Sequence, residues 1–201
     1  MEVNSWAYTA NPATVLFGSG VIQKMPQELQ RLRLSKPLLL STATGIGRAN
    51  KLAKILQGNG ITAVKIFAEA KMHTPIPVTQ KALAHATDTG ADCVVSIGGG
   101  SATGLGKAIS IRTGLYHICI PTTYAGSEMT SSLGETENGR KTTRRDPKIQ
   151  PGTVIYDVDL TLTFPPELSA VSGVNALAHA GKYVASVANL DPEPDLNAIS
   201  S

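Results

Sequence analysis

Gly98, Gly99, Gly100 and Ser101 directly follow the apolar run Cys93-Val94-Val95-Ser96-Ile97 and lead into Ala102, Thr103, Gly104, Leu105, Gly106 and Lys107. The order reads as a strand, a turn without bulky side chains and a helix. Glycines let main-chain N–H groups come close to an anion, and a helix N-terminus adds unpaired donors and the positive end of its dipole. The chemistry this permits is holding a phosphate, which points to a nucleotide cofactor. Two sharper patterns fail. In the hydrolase loop G-x-x-x-x-G-K-[ST], the first Gly would have to stand at position 101, which is Ser101 with Gly100 one position too far back, and Ala108 stands where a magnesium-binding hydroxyl is needed. The G-x-G-x-x-G fingerprint begins with Gly98 and Gly100 but meets Thr103 in place of its third Gly. From the pattern alone, a phosphate cradle and a plain strand-to-helix turn are both open.

A turn of this kind needs a sheet to hold it, and strand-like and helix-like segments alternate from about residue 37. Residues 38–40 and 93–97 are short apolar runs, 61–67 reads extended, and 118–120 and 154–156 are further strands. Between them, 48–57 places Leu52, Ile55 and Leu56 on one helical face before Gly58-Asn59-Gly60, 78–89 is helical up to Gly90, and 101–112 is a third helix. Repeated β-α-β units predict an α/β fold, a doubly wound parallel sheet with helices on both faces and a ligand crevice at the carboxyl ends of the strands. Residues 14–17 read as a leading hairpin or edge strand followed by a short helix through Leu32. Glu137-Asn138-Gly139-Arg140 suits a tight hairpin turn between 129–134 and 141–143. At Phe164-Pro165-Pro166-Glu167 the chain changes character, and 174–187 looks helical except at Gly181. The expected domains are therefore 1–163 and 164–201.

With 42% hydrophobic and 16% charged residues in 201, the chain reads as globular. Its net charge of +3 includes no dense basic tract interleaved with aromatics, so nucleic acid is not an expected partner. No apolar run approaches membrane-spanning length and no leader pattern opens the chain, so no membrane association is expected and the expected compartment is the cytoplasm. Cys93 and Cys119 both fall in predicted buried strands and read as reduced core thiols.

Four blocks occur in order: Val15-Leu16-Phe17-Gly18-Ser19-Gly20; Gly98-Gly99-Gly100-Ser101; Pro121-Thr122-Thr123-Tyr124-Ala125-Gly126-Ser127-Glu128; and Ser172-Gly173-Val174-Asn175-Ala176-Leu177-Ala178-His179. Together they resemble the iron-containing alcohol dehydrogenase superfamily. Within it, Met72-His73-Thr74-Pro75, Gly104 in place of the usual Asp, and Gly139-Arg140-Lys141-Thr142-Thr143 resemble the maleylacetate reductases. The resemblance runs to about His179, and relatives continue into a larger helical domain, so 164–201 is expected to be its truncated start.

The resemblance implies a nicotinamide coenzyme, NADH or NADPH. Gly98, Gly99, Gly100 and Ser101 would take its diphosphate, Thr122 and Thr123 would lie beside the adenosine half and phosphates, and Thr130, Ser132 and Lys141 would line the nicotinamide side. Thr42, with Ser41, stands at the end of the first strand of the unit, where an acidic residue would hold the ribose of NAD and repel the extra phosphate of NADP. The ordinary alternative is that such Thr and Ser residues cap helices or close turns, and that Lys141 is a solvated hairpin residue.

Iron-using members take an Asp and a His four residues apart on one helix. Here the pair reads Asn175 and His179, and a neutral amide is a weak ligand for a divalent cation, so no metal is expected. The implied activity is reduction of maleylacetate, a small dicarboxylate, to 3-oxoadipate. Asn175, His179 and Tyr124 are the candidate catalytic contacts and His73 the candidate substrate contact, with a homodimer as the expected assembly and the proton donor expected in the part of the relatives that the chain lacks. Two other readings stay open. One is a cofactor-binding or assembly fragment without turnover, and the other is a metal-dependent alcohol or glycerol dehydrogenase of the same superfamily.

Overall fold

The computed structural model describes residues 13–162 and 164–187. Contacts divide the chain into two compact units, Met1–Thr163 and Phe164–Ser201. The first contains β1 (Thr14–Gly18), α1 (Met25–Arg31), β2 (Pro37–Leu40), α2 (Ile46–Gly58), β3 (Lys65–Phe67), α3 (Ile76–Asp88), β4 (Cys93–Gly98) and α4 (Gly100–Thr113). It continues with β5 (Tyr116–Pro121), β6 (Ser132–Glu137), β7 (Arg140–Arg145) and β8 (Thr153–Asp157). In the second unit, α5 (Pro166–Val187) is one helix. It runs through Gly181, where an interruption was expected. A lone glycine costs a helix about 1 kcal/mol, and no turn signal beside it ends the helix.

Six strands form a parallel sheet in the order β1-β8-β5-β4-β2-β3. Side chains alternate between its faces with the strand period of two. Leu39, Val95 and Ile118 join Met25, Leu29, Leu52 and Leu56 under α1 and α2, while Leu38, Leu40 and Val94 join Val78, Ala82, Leu105 and Ile109 under α3 and α4. Two cores on opposite faces make the sheet doubly wound, as the repeated units predicted. Of the two forms open for residues 14–17, the edge strand is the one found, with β1 parallel to β8. The expected strand 61–67 shortens to Lys65–Phe67, because the Ile61 N–H turns back to the Leu56 carbonyl at 3.0 Å and closes α2 instead.

From β2 the chain winds outward to β3, then returns past β2 to β4 and on to β5 and β8. The direction of winding therefore reverses between β2 and β4, and a crevice opens there at the strands' carboxyl ends. Gly98 ends β4 on one side. Leu40 pairs with Ser96 across this gap, which carries Thr42 to the level of Gly98. Outside the sheet, β6 and β7 form an antiparallel hairpin. Asn138 (φ 50°) and Gly139 (φ 76°) are both left-handed, as a two-residue turn requires. Strand β6 begins at Ser132, later than expected, because Ser127–Met129 is wound into a 3-10 turn.

Candidate functional site

The glycine turn is fixed by its neighbours. Gly98 has φ +149°, and a Cβ there would lie 3.2 Å from Ala102 Cβ, while one on Gly99 would lie 3.0 Å from Thr123 Cγ2 and Oγ1. At Gly100 nothing stands within 4 Å. The turn is thus closed on its protein side and open at the first residue of α4. Ala102 and Thr103 N–H donate to the Gly99 carbonyl at 3.1 and 3.2 Å, which leaves the Gly100 and Ser101 amides ahead of the helix's own ladder. Thr122 N–H donates to the Gly98 carbonyl at 3.0 Å, so Thr122 and Thr123 are brought against the turn. Across the crevice, Thr42 Oγ1 caps the following turn, accepting from Gly45 N–H at 3.1 Å. No carboxylate stands at that strand end.

Two cavities flank this centre. One, of about 170 Å³, is lined by His73, Thr74, Gly100, Lys107, Ser132 and Lys141, among others, and no Asp or Glu contributes to its wall. The other, of about 240 Å³, is lined by Phe17, Thr123, Tyr124, Glu128, Tyr156 and neighbouring residues. The structure therefore gathers Gly100, His73, Ser132 and Lys141 around one space and places Tyr124 at the other. Thr130 sits on the segment between them. Asn175 and His179 fall on α5, and their side chains lie outside the described residues.

Three residues of this site escaped the sequence reading. Lys107 is fully buried, and its Nζ donates to the carbonyls of Ser127 (2.5 Å), Thr130 (2.9 Å) and Ser132 (2.9 Å) and to Thr130 Oγ1 (3.0 Å). Burial pushes its pKa down to about 8, against the opposing pull of Cys119 and Glu128. The signal was present: Lys107 is the single charge in the run Gly100 to Ile111. Glu128 is buried beside it and accepts from Tyr156 Oη at 3.0 Å, and burial followed by this carboxylate raises the phenol's pKa. Thr74, also buried, follows His73 in a rare pair of left-handed non-glycine residues, φ 63° and 46°.

Two mid-helix glycines explain the close approach of α4. A Cβ on Gly104 would collide with Thr74 Oγ1, and one on Gly106 would lie 2.6 Å from His117 Cε1. His117 Nε2 and Ser96 Oγ share a hydrogen bond at 2.8 Å, and burial, with Lys107 adding to it, holds the imidazole pKa down to about 3. At its far end α4 is tied to β6 by Arg112, whose Nη2 lies 2.9 and 3.0 Å from the Glu135 carboxylate oxygens. Among the described residues no three His, Cys, Asp or Glu side chains come together as a metal site.

A parallel sheet covered on both faces, with a glycine turn opening a helix where the winding reverses, defines a Rossmann-like α/β domain. Comparison with known proteins narrows this class. Residues 12–158 match the family model for iron-containing alcohol dehydrogenase, and the chain belongs to that family. It is 52% identical over 177 residues to maleylacetate reductase of Rhizobium sp. (strain MTP-10005), covering 88% of this chain and 50% of that protein. Identity to the maleylacetate reductase of Burkholderia cepacia is 46% over 180 residues, with coverages of 90% and 50%. The crystal structure of maleylacetate reductase from Agrobacterium tumefaciens superposes with a TM-score of 0.84 at 50% identity, covering 89% of this chain and 50% of that one. The chain spans about half the length of the relatives it matches.

Proposed function

We propose that this chain is the coenzyme-binding part of an NAD(P)H-dependent oxidoreductase that reduces maleylacetate to 3-oxoadipate. The observation that carries the reading is the turn at residues 98–101, packed shut at Gly98 and Gly99 and open at Gly100, at the reversal between β2 and β4. A nicotinamide coenzyme fits this donor set. Gly100 and Ser101 amides at the α4 N-terminus would hold the diphosphate, with Thr122 and Thr123 beside it. Thr42 would meet the ribose without charge, which admits both NADH and NADPH. Thr130, Ser132 and Lys141 would take the nicotinamide half.

When bound, the coenzyme supplies a hydride. In maleylacetate the hydride would enter a carbon–carbon double bond conjugated with a ketone, so negative charge would grow on an enolate oxygen and must be met by donors or cations. The cavity bearing His73, Lys107 and Lys141 without a carboxylate has the polarity that a dicarboxylate and this developing charge require. His73 lies at its wall as the substrate contact. Asn175 and His179 are retained as catalytic contacts, and Tyr124 as a contact from the second cavity. The reaction is read as metal-free because Asn175 offers a neutral amide where iron-using members carry a carboxylate, and EDTA is expected to leave turnover unchanged. A homodimer in the cytoplasm completes the proposal, and sedimentation at micromolar concentration tests the assembly. No described helix is long and apolar enough to cross a membrane.

Titration with NADH and NADPH, followed by nucleotide fluorescence, tests the coenzyme reading, and consumption of NADH on adding maleylacetate tests the reaction. Saturable binding with turnover is the expected result. Saturable binding without turnover would favour the second reading, a coenzyme-binding fragment. Absence of binding would sink both.

A further inference from the structure

We propose that Lys107 is the positioning residue for the nicotinamide half of the site, holding the segment 127–132 in place while the diphosphate is held separately by the glycine turn. The inference rests on the coenzyme reading given above.

The stretch from Pro121 to Gly134 is the partition between the two cavities: Thr123, Tyr124 and Glu128 face one, Ser127, Ser132 and Gly134 the other. Its two ends are anchored by different means. At the start, Thr122 N–H is bonded to the Gly98 carbonyl at 3.0 Å and Thr123 packs on Gly99, so the position of this end follows the diphosphate turn. At the other end, carbonyls of Ser127, Thr130 and Ser132 converge on Lys107 Nζ, together with Thr130 Oγ1. Lys107 lies seven residues along α4 from Gly100, about 10 Å down the helix axis. One rigid helix therefore carries both anchors: its first turn receives the diphosphate, and its second-turn ammonium sets the segment bearing Thr130 and Ser132.

An ammonium has three N–H groups, and at least four oxygens within 3.0 Å already share them. Lys107 is saturated by the protein, so it acts on reactants through the segment it holds. The nearby Glu128 carboxylate accepts from Tyr156 Oη at 3.0 Å and stands on the opposite, Tyr124-lined cavity. A hydrocarbon at position 107 would leave three main-chain carbonyls without this donor, and the segment would lose its fixed geometry.

The test uses the 201-residue chain and compares NADH with ADP, which lacks the nicotinamide half. Lys107→Met is expected to weaken NADH binding by about tenfold, the effect of about 1.4 kcal/mol, while ADP binding changes less than about twofold. Equal losses for the two nucleotides, or an unchanged NADH affinity, would overturn the proposal. Failure of the parent chain to bind either nucleotide would instead refute the coenzyme reading itself. If Lys107→Met has no cooperative thermal transition, the parent chain is titrated from pH 7.5 to 9.5. Deprotonation near Lys107's value of about 8 is then expected to lower the NADH-to-ADP affinity ratio severalfold. Of the groups facing Lys107, His117 and Cys119 on β5 are held by burial at about 3 and about 11, outside that span. Glu128 is bonded to Tyr156, and His73 and Lys141 stand across the cavity. A flat ratio would reject the role of Lys107.

Discussion

The turn at residues 98–101 and the segment at 127–132 would serve the same coenzyme, yet they are built in opposite ways. The turn is main chain, shaped by glycines whose missing side chains admit Ala102 and Thr123. The segment takes its shape from one buried cation on another element. A site made by leaving side chains out tolerates no additions, whereas a site made by a remote anchor fails when the anchor is removed. The two should therefore break differently.

The largest effect is expected at Gly100. Nothing lies within 4 Å of a Cβ there, so Gly100→Asp should fold as the parent does. It would place a carboxylate where the diphosphate is proposed to sit and weaken NADH by about a hundredfold, a loss of about 2.7 kcal/mol, read by fluorescence titration. Retained affinity would remove the turn from the site. At the opposite crevice wall, Thr42→Asp should turn the proposed neutral ribose contact into a discriminating one. NADPH affinity should fall by about tenfold with NADH nearly unchanged, as charge repulsion of the extra phosphate requires.

Gly106→Ala tests the seating of α4, which bears both Gly100 and Lys107. Its Cβ meets the His117 ring, and overpacking of this kind destabilises by about 1–3 kcal/mol, read as a lowered thermal midpoint. The smallest effect concerns pH. His117 is held neutral with a pKa of about 3, below its unfolded value of 6.5, so the unfolded chain binds more protons between these limits. Stability from this group is present above pH 6.5 and falls as pH drops toward 3. His117→Gln should make the acid limb of the thermal midpoint shallower; an unchanged slope would show that the imidazole is not the group responsible.

Much of the fold was legible because its signals are local. Val94 and Val95 alternate between two cores, the Asn138-Gly139 pair turns the hairpin, and the Gly-Gly-Gly-Ser turn falls where an apolar strand meets a helix. The errors came where a local signal competed with a contact. Ile61 looks extended but is drawn back to α2 by one hydrogen bond, and Gly181 looks like a break but is carried within α5. Of the site, the turn could be placed from neighbouring residues, whereas Thr122 and Thr123 came only with the family resemblance. That His73, Ser132 and Lys141 share a cavity, with Tyr124 at another, depends on loops that meet from distant parts of the chain.

Order and residue type along the chain were sufficient for the doubly wound sheet and for the glycine turn between strand and helix, since both follow from periodicity and from backbone freedom over a few residues. Lys107 was visible as a lone charge in an uncharged helix, but its purpose was not. What it binds is three carbonyls twenty or more residues later, and carbonyls are the same at every position of a sequence. Their convergence on one ammonium exists only once α4 and the 127–132 segment are packed together.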